Sequence, residues 1–338
     1  MKRTTARDVA ALAGCSVSAV SLVVNGHADG RIKDELRQRI IDAVEQLHYR
    51  PNGSARDLAR QMPSNVGFLC PDVSNPFFGQ VYTGALGGLR GQFGLDLRVQ
   101  AHGQDYDLET VRSIQAGNLA GLILAGPADT VIDGFQPTCP TVVIDTPASR
   151  TALTTVELDL AGASQQIANH LASLSHRHIA YIDLDNAKST FVIRRRALAD
   201  ALAEHGSKLA DVQAAPHMTT DAGRDLVRMN WDRWIKMGIS AIVCADDVLA
   251  YGVLAATREL GVSVPQDMSL ASYNDLAFSQ LLDPALTSVD FNAQQLGRTA
   301  ANMLLNIMSG TEPFSVCMPT QLHARASTAP YTTSGPPP

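Results

Sequence analysis

Residues 6–25, ARDVAALAGCSVSAVSLVVN, constrain this chain more than any other stretch. They read as two short helices joined by a tight turn. Ala10, Gly14 and Val20 stand four and then six residues apart. Ala10 is small where one helix must approach the other. Gly14 supplies the backbone freedom that the turn needs. Val20 packs the second helix back onto the first, and Val9, Ala13, Cys15 and Val23 complete the inward set. Ser16 stands at a helix N-cap, where its hydroxyl can accept an orphan backbone N–H. This is the layout of a helix-turn-helix, whose second helix enters the major groove of DNA. An ordinary helical hairpin shares the Ala–Gly spacing but not the full inward set at the N-terminus.

Charge distribution supports the same reading. The chain carries a net charge of −6, which alone argues against a nucleic-acid partner. Residues 1–61 nevertheless hold 10 Lys and Arg against 7 Asp and Glu, whereas the rest holds 17 against 26. A basic head on an acidic body is the asymmetry of a DNA-binding module joined to something else. At 338 residues the chain exceeds one typical core, so two or three domains are expected. No run of about 20 apolar residues is present to span a membrane. The start, MKRTTARDVA, has no apolar signal core, so a cytoplasmic protein is expected. Cys15, Cys70, Cys139, Cys244 and Cys317 have neither CxxC nor Cys/His metal spacing, so free thiols and no metal site are expected.

Beyond the turn, residues 26–30 form a loop and residues 34–47 a third helix, with Leu36, Ile40, Ala43, Val44 and Leu47 at helical spacing. Pro51 breaks it. Residues 53–60, GSARDLAR, can form a helix but have too little apolar surface to fold alone. From Asn65 short apolar runs alternate with helical segments. Strands are predicted at 66–69, 95–100, 121–124, 141–144, 178–182, 241–244 and 269–271. Helices are predicted near 78–93, 108–117, 159–174, 194–205, 221–236, 248–260 and 293–308. That alternation means α/β architecture, with parallel sheets covered by helices, and there is enough of it for two sheets. Ligands in such folds bind beyond the carboxyl ends of the strands, which here carry Pro71-Asp72, Asp145, Asp183, Asp246-Asp247 and Asn274-Asp275.

Several stretches together resemble the LacI/GalR (lactose-repressor/galactose-repressor) family of transcriptional regulators. They are DVAALAGCSVSAVSLVVNG, YRPNGSARDLAR, VGFLCPDVSNPFFG, GLILAG, TVVID, HRHIAYI, AIVCADDVLAYGVL, GVSVPQDMSLASYNDL, ALTSVDFN and MPTQLHARAST, in the family's order. The resemblance implies a helix-turn-helix domain at 1–50, a hinge helix at 51–62, and a two-lobed effector-binding and dimerisation core at 65–330 similar to periplasmic binding proteins. Its N-lobe would hold about 65–160 plus 293–320, and its C-lobe about 161–290 plus 321–330. Residues 331–338 are expected to be a disordered tail.

The resemblance also implies roles for particular residues. Val17, Ser18 and Leu22 would read bases; Leu22 departs from the family's common Arg or His and cannot make the bidentate guanine contact. Thr5, Ser16, Ser21, Asn25 and Tyr49 would lie at the DNA, mostly near phosphates. In the hinge, Asn52 would make a polar contact, and Ala55 and Leu58 would enter the minor groove, the leucine prying open a base step. Phe77, Phe78, Asp145, Arg194, Asp247, Asn274 and Phe291 would line an effector pocket. Asn274 stands where Asp is usual, Phe291 where Gln is frequent, and Asp246 where Asn is common. Carboxylates and an arginine suit a sugar or sugar derivative, and the aromatic residues leave a nucleobase-like ligand open.

The expected protein is therefore a homodimeric regulator, most simply a repressor, of a near-palindromic double-stranded operator, controlled by a small molecule and needing no cofactor. Inducer and corepressor modes both remain open. A solute-binding protein would fit the core but not the head. An enzyme is not expected: no GxGxxG follows the first strand, and neither a P-loop nor a GxSxG elbow is present.

Overall fold

The computed structural model describes residues 4–24, 26, 28–49, 63–99, 105–186 and 188–331. Asn25, Asn52, Ala55, Leu58 and residues 332–338 lie outside the described residues. The chain divides into two compact units, Met1–Ser64 and Asn65–Pro338.

The first unit is built from α1 (Ala6–Ala13), α2 (Val17–Val24) and α3 (Asp34–Gln46). Thr5 opens α1 with a capping box: its hydroxyl accepts from the Asp8 N–H, and the Asp8 carboxylate accepts from the Thr5 N–H at 2.7 Å. Gly14, at φ +64°, ends α1 in the left-handed conformation that glycine adopts without a steric penalty. Ser16 then starts α2, its Oγ accepting from the Ala19 N–H at 3.2 Å. The two helices are bent by 103°. Val9, Ala10, Ala13, Val20, Ile40 and Ala43 are buried between the three helices, with Cys15 and Val23 half-buried around them.

The second unit alternates strands and helices: β1 (Asn65–Cys70), α4 (Pro76–Gly88), β2 (Gly94–Val99), α5 (Leu108–Gln115), β3 (Gly121–Ala125), α6 (Asp129–Gly134), β4 (Thr141–Ile144) and β5 (Thr154–Leu158). It continues through α7 (Leu160–Ser173), β6 (His178–Leu184), α8 (Ser189–Glu204), β7 (Lys208–Ala215), α9 (Thr220–Lys236), β8 (Ala241–Cys244), α10 (Asp247–Glu259), β9 (Ser269–Asn274) and β10 (Thr287–Asp290). It ends with α11 (Ala293–Met308), β11 (Val316–Met318) and β12 (Gln321–His323).

Two six-stranded sheets result, ordered β11-β5-β4-β3-β1-β2 and β12-β10-β9-β8-β6-β7. All pairings are parallel except β10 with β12. The chain passes between the lobes at β5–α7, β10–α11 and β11–β12, since α11 packs on α4 of the first lobe. Small residues let helices touch in each lobe. A Cβ on Gly297 of α11 would lie 1.9 Å from the Val81 carbonyl oxygen of α4, and one on Gly252 of α10 would lie 2.0 Å from that of Thr220 in α9.

The sequence reading missed β5, β7, β10, β11, β12 and α6. Thr154, Thr155, Thr287 and Ser288 break the apolar run in β5 and β10 although all four are buried. The two final strands are three residues each, too short for a period to register. α8 begins five residues before the expected 194, because Lys188 at its cap carries no sequence signal for a helix start. Tyr331, placed in the expected tail, is held: its N–H donates to Leu174 O at 2.8 Å and its ring lies 5.9 Å from that of His176.

Candidate functional site

In the smaller unit, α2 offers Val17, Ser18 and Ser21 to solvent, while Leu22 is half-buried. Ser16, Ser18 and Leu22 form one wall of a groove of about 660 Å³ whose other wall carries Arg31, Lys33 and Arg39 together with one carboxylate, Glu35. A polar helix face beside three cations is an arrangement suited to a phosphate backbone flanking a groove of bases. Thr5 is exposed but engaged in its capping box, and Tyr49 packs half-buried against the three-helix core.

In the larger unit, a cavity of about 720 Å³ lies at the carboxyl ends of both sheets. The first lobe brings Phe77 and Phe78 from the start of α4 and Asp145 from the end of β4. The second brings Arg194 from α8 and Asn274 from the end of β9; Phe291 enters from the β10–α11 crossing. Six of the seven residues expected in an effector pocket are thus brought together.

Arg194 is buried, and its guanidinium carbon sits 5.1, 4.8 and 5.0 Å from the ring centroids of Phe191, Tyr273 and Phe291. Such a box holds a cation by ring electrostatics once water is gone. One Nη donates to Ala245 O at 2.5 Å, and Nε is buried with no hydrogen-bond partner among the described residues. The neighbouring arginines turn away: Arg195 pairs with Asp183 at 2.5 Å, and Arg196 lies out by Asp200. Asp145 sits at φ +58°, in the left-handed region that Asp tolerates better than most residues. Burial pushes its carboxyl up to about 6, against the pull of Arg194 and Lys188, and its Oδ1 is buried with no hydrogen-bond partner among the described residues.

Polar bonds join the lobes across the cavity. The Asn75 amide of the first lobe donates to Asp246 Oδ2 at 2.9 Å, and Asn274 donates to the same oxygen at 2.6 Å. Asp246 Oδ1 accepts the Val248 N–H at 2.8 Å, capping α10. Burial raises the Asp246 carboxyl, opposed by these hydrogen bonds and by Arg194. Lys188 Nζ reaches from the second lobe to Gly126 O at 3.0 Å and Asp105 at 2.5 Å. Asp129 accepts from the N–H and hydroxyl of Ser189 at 3.3 and 3.1 Å.

Asp247 is not among the residues lining the cavity. It is the first residue of α10, fully buried, and its carboxylate accepts from the Leu276 N–H at 2.7 Å, Ser279 Oγ at 2.5 Å and Ser288 Oγ at 2.7 Å. Burial pushes it up to about 7. The register explains the change: the capping residue Asp246 precedes the helix and faces the cavity, while the next residue has turned into the lobe. Asn75, Lys188 and Phe191 also line the cavity and were missed. Asn75 had a legible signal, an Asn before Pro at a helix start; Lys188 and Phe191 had none. Among the described residues, no group of three His, Cys, Asp or Glu side chains could hold a metal ion.

Comparison with known proteins places both units. Residues 5–52 match the family model of bacterial regulatory proteins, lacI family, and residues 168–328 match that of the periplasmic binding protein-like domain. The chain is 26% identical over 332 residues to catabolite control protein A of Staphylococcus xylosus, covering 96% of this chain and 99% of that one. It shares the fold of the lac repressor dimer bound to operator and the anti-inducer ONPF, with TM-score 0.82, 21% identity and coverage of 97% of this chain and 100% of that one. The transcriptional regulator CelR–cellobiose complex gives TM-score 0.68 at 24% identity, covering 96% and 100%. Residues 5–52 are therefore a DNA-binding domain of the kind found in bacterial regulatory proteins of the lacI family and residues 168–328 lie in a periplasmic binding protein-like domain, and over almost its whole length the chain is similar to transcriptional regulators that join two such parts.

Proposed function

We propose that this regulator is a repressor that binds a near-palindromic operator as a homodimer and is controlled by a sugar or sugar derivative held between its lobes. The cavity carries the proposal: its walls come from both lobes, so a ligand there bears directly on how the lobes meet. Asp145 and Arg194 set a carboxylate and a guanidinium on the cavity wall, an acceptor and a donor suited to a hydroxyl that both donates and accepts. The Phe77 and Phe78 rings, 5.2 Å apart, suit the apolar face of a sugar ring. The likeness to a cellobiose-bound regulator and to an operator-bound dimer is in keeping with this. Val17, Ser18 and Leu22 are proposed for base readout, and the two lobes for the division given above. The hinge residues are proposed for the minor groove on the family resemblance alone.

Ligand and operator must then alter one another's affinity by the same factor. A second reading, an aromatic effector such as a nucleoside, is favoured by the four phenylalanines, Phe77, Phe78, Phe191 and Phe291, in one cavity. The test is thermal unfolding against sugars and nucleosides, followed by operator binding with any compound that raises the transition. A sugar that stabilises the protein and changes operator affinity supports the proposal. A sugar that stabilises without changing operator affinity removes it.

A further inference from the structure

We propose that this protein selects its operator half-sites through the C5-methyl groups of thymine, met by Val17 and Leu22, and not through hydrogen bonds to guanine or adenine. The inference rests on the operator reading above and names the chemistry by which α2 discriminates bases. In a helix-turn-helix the second helix supplies the base contacts. Here that helix is α2, VSAVSLVV, whose polar side chains are all serines. Val20 is buried, and Ala19, Val23 and Val24 pack against the three-helix core. The outward side is left with Val17, Ser18, Ser21 and Leu22. These four share one face, because residues four apart stand one above the other on a helix. Val17 is 43% exposed, and Leu22 is half-buried on the groove wall.

Each base pair shows the major groove a distinct set of donors, acceptors and methyl groups, and a side chain discriminates by what it can match. Guanine is read by the paired donors of arginine or by lysine, and adenine by the amide of asparagine or glutamine. α2 contains none of these. A serine hydroxyl both donates and accepts, so Ser18 and Ser21 accommodate whichever base edge they meet. Val17 and Leu22 match a single feature, the thymine methyl, the apolar group that sets one base apart in this groove. A polar base edge beside either side chain loses water and gains no partner. Thymine is thus favoured twice, by the contact it makes and by the cost of the alternatives. The cations of this unit stand apart from α2. Arg31, Lys33 and Arg39 lie on the facing wall, before and along α3, with Glu35 among them. They serve phosphates, which position the protein and carry no sequence.

The test uses the full-length protein. An operator is first selected from a randomised duplex library. Each thymine shared by the two half-sites is then replaced by deoxyuridine, which lacks the methyl and keeps every donor and acceptor. Replacement at a methyl-reading position should weaken binding about fourfold per methyl, and about fifteenfold when both half-sites are changed. 5-Methylcytosine paired with guanine should bind better there than cytosine does. Val17→Ala and Leu22→Ala should each erase the preference for thymine over deoxyuridine at one position and leave it at the other. The comparison of the two DNAs needs only the wild-type protein, so it stands even where an alanine variant folds poorly. Selected half-sites dominated by guanine, thymines that deoxyuridine replaces without loss, or a methyl preference that survives in both folded variants each overturn this inference and leave the operator reading intact. A protein that enriches no sequence at all removes the operator reading, and this inference with it.

Discussion

The two lobes thread the same order of strands and fill it with different chemistry. In the first, β1, β3 and β4 read NVGFLC, GLILA and TVVI and are buried almost throughout. In the second, Ser269, Ser272, Thr287 and Ser288 are fully buried on the strands, and Asp247 lies among them at the start of α10. β4 and β9 hold the same place in their sheets, and each delivers a residue at positive φ to the cavity: Asp145 at +58° and Asn274 at +102°. Their situations differ. The Asp145 Oδ1 has no hydrogen-bond partner among the described residues, whereas Asn274 is tied to Asp246. The apolar pattern is thus sufficient for the topology. The polar interior of the second lobe does something else: it fixes the 274–279 turn beneath the cavity through Asp247 and Ser288.

The strongest challenge to this symmetry is steric. Gly297→Val in the first lobe and Gly252→Val in the second each drive side-chain atoms into a facing backbone carbonyl, and each should cost upwards of about 3 kcal/mol. Denaturant unfolding of the two variants should show similar losses; a loss confined to one lobe would end the equivalence. A smaller effect separates the lobes by pH. His176 of the second lobe bonds Ser240 Oγ and Ala329 O, and burial holds it at about 4, below its ordinary 6.5. The neutral ring is therefore favoured by the fold. That contribution is whole above pH 6.5 and is lost as the pH falls from 6.5 towards 4. Relative to His176→Gln, which keeps a donor and an acceptor, the wild type should lose about 3 kcal/mol across that window. A constant gap would show that the ring does not titrate as argued.

Asp247→Ala should cost about 2 kcal/mol by stranding the Leu276 N–H and the Ser279 and Ser288 hydroxyls. It should leave the intrinsic ligand preference unchanged, because Asp247 does not line the cavity; an altered preference among matched ligands would put it back in the site. The smallest effect lies outside both lobes. Thr5→Ala removes the capping box of α1 and should cost the smaller unit about 1 kcal/mol. Hydrogen exchange should report the loss in residues 6–49 and leave the core amides protected as before.

How much of this was legible follows from the same contrast. The helix-turn-helix was readable position by position, because Val9, Ala10, Ala13 and Val20 recur with the helical period and Gly14 and Ser16 punctuate them. The central strands were readable as apolar runs. Strands whose buried faces carry Thr and Ser were not: in β10 the Thr287 and Ser288 hydroxyls find partners that only the fold supplies, and in β5 Thr155 is buried with its hydroxyl unpartnered among the described residues. In the site, Arg194 was found by register, while Asp247 was preferred to Asp246 because sequence alone does not say which of two adjacent carboxylates caps the helix. Lys188 was illegible for a different reason. Its partners, Asp105 and Gly126, lie more than sixty residues away in the other lobe.

The exchange of terminal strands has a consequence for anyone who would work with a lobe alone. β11 belongs to the first sheet and β12 to the second, yet both follow α11. A fragment cut at the first crossing, near residue 159, lacks α11 and one edge of its sheet. The complementary fragment carries an orphan helix and a strand with nothing to pair against. Neither half is a contiguous gene segment, so ligand recognition is a property that can be expressed only from the core entire.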